Sequence, residues 1–145
     1  MDSIFNEANE VKPKYNNLRW GKVGDWFKGT LVDNTRQMRN NLSEKGEMQT
    51  IFEFKAHGGL FHDIVKRVVQ SEPTEVLKDE FWSLITSKPA LLNQLKGAKI
   101  GQVIGLRFAE EKEAKKAGFN DSKIIKIYLG EMDATYHGEN SLELQ

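Results

Sequence analysis

The chain contains no cysteine. That removes disulfide frameworks and thiolate metal sites together, and it suits a reducing compartment. No stretch approaches the roughly eighteen consecutive apolar residues that a membrane-crossing helix needs. The segment Met1 to Glu10 holds Asp2, Glu7 and Glu10 and no basic group, so it lacks the charged and apolar regions of an export signal. A cytoplasmic location is the expectation. Catalytic signatures are missing as well. Gly97, Gly101 and Gly105 have neither the Gly-Lys-Ser/Thr ending of a phosphate loop nor the spacing of a dinucleotide fingerprint. There is no G-x-S-x-G elbow. His62-Asp63 is a dyad of the kind metal phosphohydrolases use, yet His57 and His62 are five apart and cannot share a helix face as an i, i+4 zinc pair does. These absences point away from an enzyme and leave no metal or cofactor to expect.

What is present fits one globular domain: 145 residues, 39% hydrophobic and 29% charged. The net charge of zero hides a segregation. Residues 12 to 67 carry eleven bases against six acids, and residues 99 to 128 carry seven against four. The first eleven residues and the last seventeen hold three and four acids and no base. Two basic segments framed by acidic ends suit a surface that meets a polyanion.

Residues 1–19 are polar and interrupted by Pro13, which reads as a flexible N-terminal arm, and 134–145 reads as a disordered C-terminal tail. Between them, alternation in the strand period marks Trp26 to Asp33, with Phe27, Gly29 and Leu31 on one face and Trp26, Lys28, Thr30 and Val32 on the other. Gly29, inside that strand, suggests a bend or bulge. A polar loop is expected from Asn34 to Glu47. A second strand follows over Met48 to Ala56, with Phe52 and Phe54 assigned to the core, and His57-Gly58-Gly59 reads as a turn. Leu60 to Val69 suggests a short strand passing into a helix, and Pro73-Thr74-Glu75 reads as the entry to a helix over Val76 to Leu84, with more helix over Ala90 to Leu95. Strands are again expected over Ile100 to Ala109 and Lys123 to Leu129, separated by a charged loop, Glu110 to Asp121. Five strands with helices between the third and fourth make a mainly β protein with a helical insertion. That is the layout of the OB-fold, a five-stranded Greek-key barrel, here spanning residues 20–133.

Lys22-Val23-Gly24-Asp25-Trp26-Phe27-Lys28-Gly29-Thr30-Leu31-Val32 resembles the first strand of phage-type and other small OB-fold single-stranded DNA-binding proteins. Leu95 to Phe108, with Gly101-Gln102-Val103-Ile104-Gly105-Leu106 inside it, is similar to their fourth strand, and the charged loop and closing strand are similar to the family's end. The resemblance implies a sequence-tolerant protein that coats single-stranded DNA in replication, recombination or repair, in a bacterial or phage-infected cell. Replication or recombination proteins and further copies of the chain are its candidate partners.

In an OB-fold the strand lies across the second and third strands, flanked by the loops after the first and between the fourth and fifth. The first of those loops contains Arg36, Arg39 and Lys45, and Lys112, Lys115, Lys116, Phe119 and Lys123 lie in or beside the second. Stacking requires flat rings, for which Trp26, Phe119 and Tyr128 are the candidates, and phosphates require cations, for which Lys28, Lys55, Arg107 and Lys126 share the polar strand faces. Trp26 and Tyr128 also have a plainer reading as packing residues. The competing function is a protein-interaction module on the same barrel, with no nucleic acid bound.

Overall fold

A computed structural model of the chain describes residues 16–39, 46, 48–112 and 122–136. Two long strands, β1 (Trp26–Arg39) and β2 (Met48–Phe61), form an antiparallel hairpin. Short elements follow: β3 (Ile64–Val65), β4 (Val68–Val69), β5 (Thr74–Val76), β6 (Phe81–Thr86) and α1 (Pro89–Leu95). Two further long strands, β7 (Gln102–Lys112) and β8 (Ser122–Met132), close the order.

The main sheet runs β5-β2-β1-β7-β8, with β6 also paired to β2, and β3 and β4 form a separate two-stranded ribbon. Four of its strands stand in the order β7-β1-β2-β6, in which the last in sequence returns beside the first; this is the Greek-key arrangement. β8 then adds to β7. Among the described residues no pairing joins β8 to β6, so the sheet is curled and open rather than closed.

Alternation explains the core. Phe27 and Leu31 of β1, Phe52, Phe54 and Ala56 of β2, Ile104, Leu106 and Phe108 of β7, and Ile125 of β8 all turn inward and are buried. Leu91 and Leu95 of α1 complete the layer, as do Leu18 and Trp20 ahead of β1. Phe27 meets Phe54 edge-on at 5.4 Å, and Phe61 meets Trp82 at 5.3 Å, the offset geometry aromatic quadrupoles favour. The end of the expected N-terminal arm is thus part of the body, with Leu18 N donating to Ser83 O at 2.8 Å.

Several expectations need correction. β1 continues through the expected loop to Arg39, because Arg36 to Arg39 pair with Ile51 to Met48. The expected turn at His57-Gly58-Gly59 is strand: β2 runs on to Phe61 because Gly58 and Gly59 pair with Lys28 and Phe27. His57 is the extra residue of a β-bulge, since Lys28 pairs with Gly58 but Gly29 pairs with Ala56. The helices expected over Leu60 to Val69 and Val76 to Leu84 are strands and turns. Asp79 adopts φ 70°, and Leu77 N donates to the Glu80 carboxylate while Glu80 N bonds Leu77 O, a local turn that a helix cannot pass through. Trp82, Leu84 and Thr86 then bury alternately, the strand period that their aromatic and branched side chains favour. Only Pro89–Leu95 of the expected helical insertion is helical.

Candidate nucleic-acid interface

Residues paired across an antiparallel sheet place their side chains on the same face. The register therefore assembles two rows on the surface opposite the core. The first runs Leu60, Trp26, Arg107, Lys126 across β2, β1, β7 and β8. The second runs Gly58, Lys28, Gly105, Tyr128 across the same four strands.

Trp26 is 42% exposed and Tyr128 53%. Each ring is laid beside a glycine: a methyl group on Gly58 would stand 3.5 Å from Trp26 Cη2, and one on Gly105 would stand 3.5 Å from Tyr128 Cβ and 3.7 Å from Cδ2. Lys28 has a glycine opposite it on both neighbouring strands. Lys28, Arg107 and Lys126 are exposed, and none of these cations has an ion-pair partner among the described residues; the first row continues past Leu60 to Glu75 of β5, a carboxylate at its far edge. The result is a positively charged surface on which two flat rings lie over glycines.

The other candidate cations have partners. Arg36 Nη2 donates to Glu53 Oε1 at 2.7 Å, and its Nε lies 3.4 Å from Asp33. Asp33 itself accepts from Thr35 N and Oγ1, which lower its carboxyl below the ordinary aspartate range. Arg39 Nη1 donates to Gly46 O at 3.0 Å. Lys55 Nζ is 3.8 Å from Asp79. Lys123 is turned inward: its Nζ donates to Trp20 O at 2.6 Å and stands 5.7 Å above the Phe108 ring. Burial draws its ammonium below the ordinary lysine range, a structural role rather than a hand for phosphates. Lys45, Lys115, Lys116 and Phe119 lie outside the described residues.

The surface of the second and third strands, where the strand of nucleic acid was expected, is weaker. β2 and β6 present Lys55 beside Phe81, which is 55% exposed, but Glu53 and Asp79 occupy the same area with their partners. Phe81 falls at helical spacing from Val76, Leu77 and Leu84, so the sequence alone does not mark it as exposed on a strand.

Two histidine clusters hold the frame. Asp25, 3% exposed, accepts from Gly21 N and Lys22 N at 3.0 Å, His62 N at 2.9 Å and His62 Nδ1 at 2.8 Å. A carboxylate only accepts, so His62 Nδ1 carries the proton. This fixes the turn before β1 to the end of β2, and it gives His62 a partner other than Asp63. At the bulge, Thr30 Oγ1 donates to Asp133 Oδ2 at 2.5 Å and lies 2.7 Å from His57 Nε2. With the hydroxyl proton committed to the carboxylate, His57 Nε2 is the donor to Thr30. Bonds from Thr135 Oγ1, Thr30 and Thr135 N hold the Asp133 carboxyl well below the ordinary aspartate range. The adjoining cavity, about 280 Å³, is lined by Lys55 and Lys78 against Asp79 and Asp133, with His57 and Tyr136 beside them. Its two lysines and two aspartates offset each other, so it offers a polyanion little attraction. Among the described residues no group of three or more His, Cys, Asp or Glu side chains is arranged to hold a metal ion.

No protein-family model, no curated protein and no solved structure matches the chain. What it binds has to be argued from its own surface.

Of the sequence candidates, register brings Trp26, Lys28, Arg107, Lys126 and Tyr128 together. It also adds Gly58, Gly105 and Leu60, which the sequence does not place on this surface. A glycine signals its role here only when its cross-strand neighbour is known, and pairing is not written in a single strand.

Proposed function

We propose that this chain is a single-stranded DNA-binding protein of the OB-fold type, coating the strand without sequence preference in replication, recombination or repair. The Greek-key order of β7-β1-β2-β6, with β8 added beside β7 and α1 between β6 and β7, supports the fold assignment. The observation that carries the function is the pairing of exposed rings with cations that have no ion-pair partner among the described residues: Trp26 and Tyr128 flank Lys28, with Arg107 and Lys126 in the adjacent row.

The mechanism follows from the groups. Every base has a π-face, so stacking on Trp26 and Tyr128 holds bases regardless of identity, at roughly 1–3 kcal/mol per stack. Lys28, Arg107 and Lys126 neutralise phosphates and release condensed counterions, which gives affinity that falls with salt. The glycines let the Trp26 and Tyr128 rings lie close to the sheet, which presents their outer faces to bases. No step requires bond-making, so no nucleophile or metal is needed. The contact surface is β1, β7 and β8, displaced from the second and third strands that the family resemblance favours.

The test is binding of a single-stranded oligonucleotide of about 30 nucleotides across a salt series, read by gel retardation and tryptophan fluorescence. Trp20 and Trp82 are buried, so quenching reports Trp26. Replacing Lys28, Arg107 and Lys126 by Gln is expected to reduce the slope of log affinity against log salt by about 2, from roughly 0.7 per phosphate for single strands. No retardation at about 50 mM salt would overturn the proposal and favour the protein-interaction module.

A further inference from the structure

We infer that the β3–β4 ribbon is a wedge that reads the junction between the bound single strand and an adjoining duplex. This rests on the single-strand reading above. Val65 and Val68 are directly paired, and so are Ile64 and Val69, which leaves a two-residue loop of Lys66 and Arg67. Both loop residues have positive φ, 50° and 68°, as a type I′ hairpin turn demands. Such turns favour Asn-Gly, because Gly has no Cβ and Asn's short polar side chain tolerates the left-handed region, which strains longer side chains. Here two adjacent long cations occupy the strained positions, so charge has been placed at the tip at a cost in stability.

The ribbon's two faces differ. Ile64 lines the cleft with Trp20, and Val69, 41% exposed, stands against Gly21, so this pair lies on the side toward the body. Val65 and Val68 form the opposite face, 47% and 60% exposed. The root is fixed: Gln70 N donates to Asp63 O at 2.8 Å, and His62 is held by Asp25, the residue next to Trp26. Only His62 and Asp63 separate the ribbon from Phe61, whose neighbour Leu60 stands beside Trp26 in the first row. The ribbon therefore springs from the Trp26 end of the proposed track.

Its chemistry suits an end of duplex. Unpaired bases stack best on rings, which the ribbon lacks. A branched apolar face gains by covering the wide face of a terminal base pair, as aliphatic wedges do, while tip cations hold the flanking phosphates. The partner is thus a duplex continuing into a single strand.

The experiment compares three DNAs at one salt concentration: a single strand, the same strand carrying a duplex at one end, and a blunt duplex. The tailed duplex is expected to bind about tenfold more tightly than the single strand, with the blunt duplex weakest. Val65→Thr with Val68→Thr keeps branched side chains and is expected to abolish the tailed-duplex preference while leaving single-strand affinity within about twofold. Lys66→Asn with Arg67→Gly relaxes the turn and is expected to raise Tm while also removing the preference; a lowered Tm would overturn the strained-turn argument. Equal affinity for tailed and plain strands, or equal losses on both in the Val variant, would overturn the wedge and leave the single-strand reading standing. No binding to any of the three DNAs would overturn that reading, and the wedge with it.

Discussion

At the Trp26 end of the outer sheet face, Lys28, Arg107 and Lys126 have no ion-pair partner among the described residues, with Glu75 and Glu110 at the margins of that face opposite Leu60 and Ile124, whereas toward Arg36 the cations are matched: Arg36 by Glu53 and Asp33, and Lys55 by Asp79. Both regions draw on the same strands and the same residue types. What separates them is local neighbourhood: register sets glycines opposite Lys28, whereas Arg36 reaches along the sheet to the cross-strand pair Asp33 and Glu53. A local excess of positive charge in the sequence is therefore a poor guide to where a polyanion is held. The useful quantity is charge left over after neighbours have been paired.

If the matched region is a frame and the open region a working surface, substitutions in the two should fail differently. The largest effect is expected at Asp25. Asp25→Ala leaves four donors, including His62 Nδ1, without their buried acceptor, and a loss of about 3–5 kcal/mol in chemical denaturation is expected. A loss below about 1 kcal/mol would mean that the turn before β1 is not anchored through this carboxylate. Next in size are the rings. Trp26→Ala and Tyr128→Ala are each expected to weaken single-strand binding by about 1–3 kcal/mol in a titration, with Tm nearly unchanged because both side chains are exposed. A fall in Tm without a fall in affinity would return Trp26 and Tyr128 to the role of packing residues.

The frame can also be separated from the surface by pH. The Asp133 carboxyl is held below its unfolded value by Thr135, Thr30 and the neighbouring His57. A depressed carboxylate stabilises the fold above the unfolded value and loses that contribution as pH falls through the folded one. Wild type is thus expected to lose stability more steeply than Asp133→Asn as pH drops below about 4, in acid denaturation followed by circular dichroism. Parallel acid limbs would show that the Thr30–Asp133 bond contributes little.

How far the sequence could be read depended on the range of the interaction. Alternation over Phe27 to Leu31, Phe52 to Phe54 and Ile104 to Phe108 is local, and these strands and their buried faces were legible. The Val76 to Leu84 segment was not, because Val76, Leu77, Phe81 and Leu84 fit a helical spacing by coincidence. The deciding events are the positive φ at Asp79 and the pairing of Lys55 to Thr50 with Phe81 to Thr86, contacts between residues far apart in the chain. The same distinction governs the surface. Trp26, Lys28, Arg107, Lys126 and Tyr128 could be picked out by their positions on strands, while Arg36 and Lys123 looked equally suitable until Glu53 and the Trp20 carbonyl were found beside them.

The smallest expected effect tests the comparison most directly. Arg36→Gln removes a cation from the same sheet face that carries Lys28, but one that Glu53 and Asp33 have already matched. If leftover charge is what holds the strand, single-strand affinity should change less than about twofold and the salt slope should stay put, while Lys28→Gln lowers the slope by about 0.7. Stability should fall by less than about 1 kcal/mol, the scale of an exposed ion pair. An Arg36 variant that lost as much affinity and salt dependence as the Lys28 variant would mean that DNA opens the Arg36–Glu53 pair on binding. The two regions would then be one surface, and the track would extend along β1 beyond the bulge.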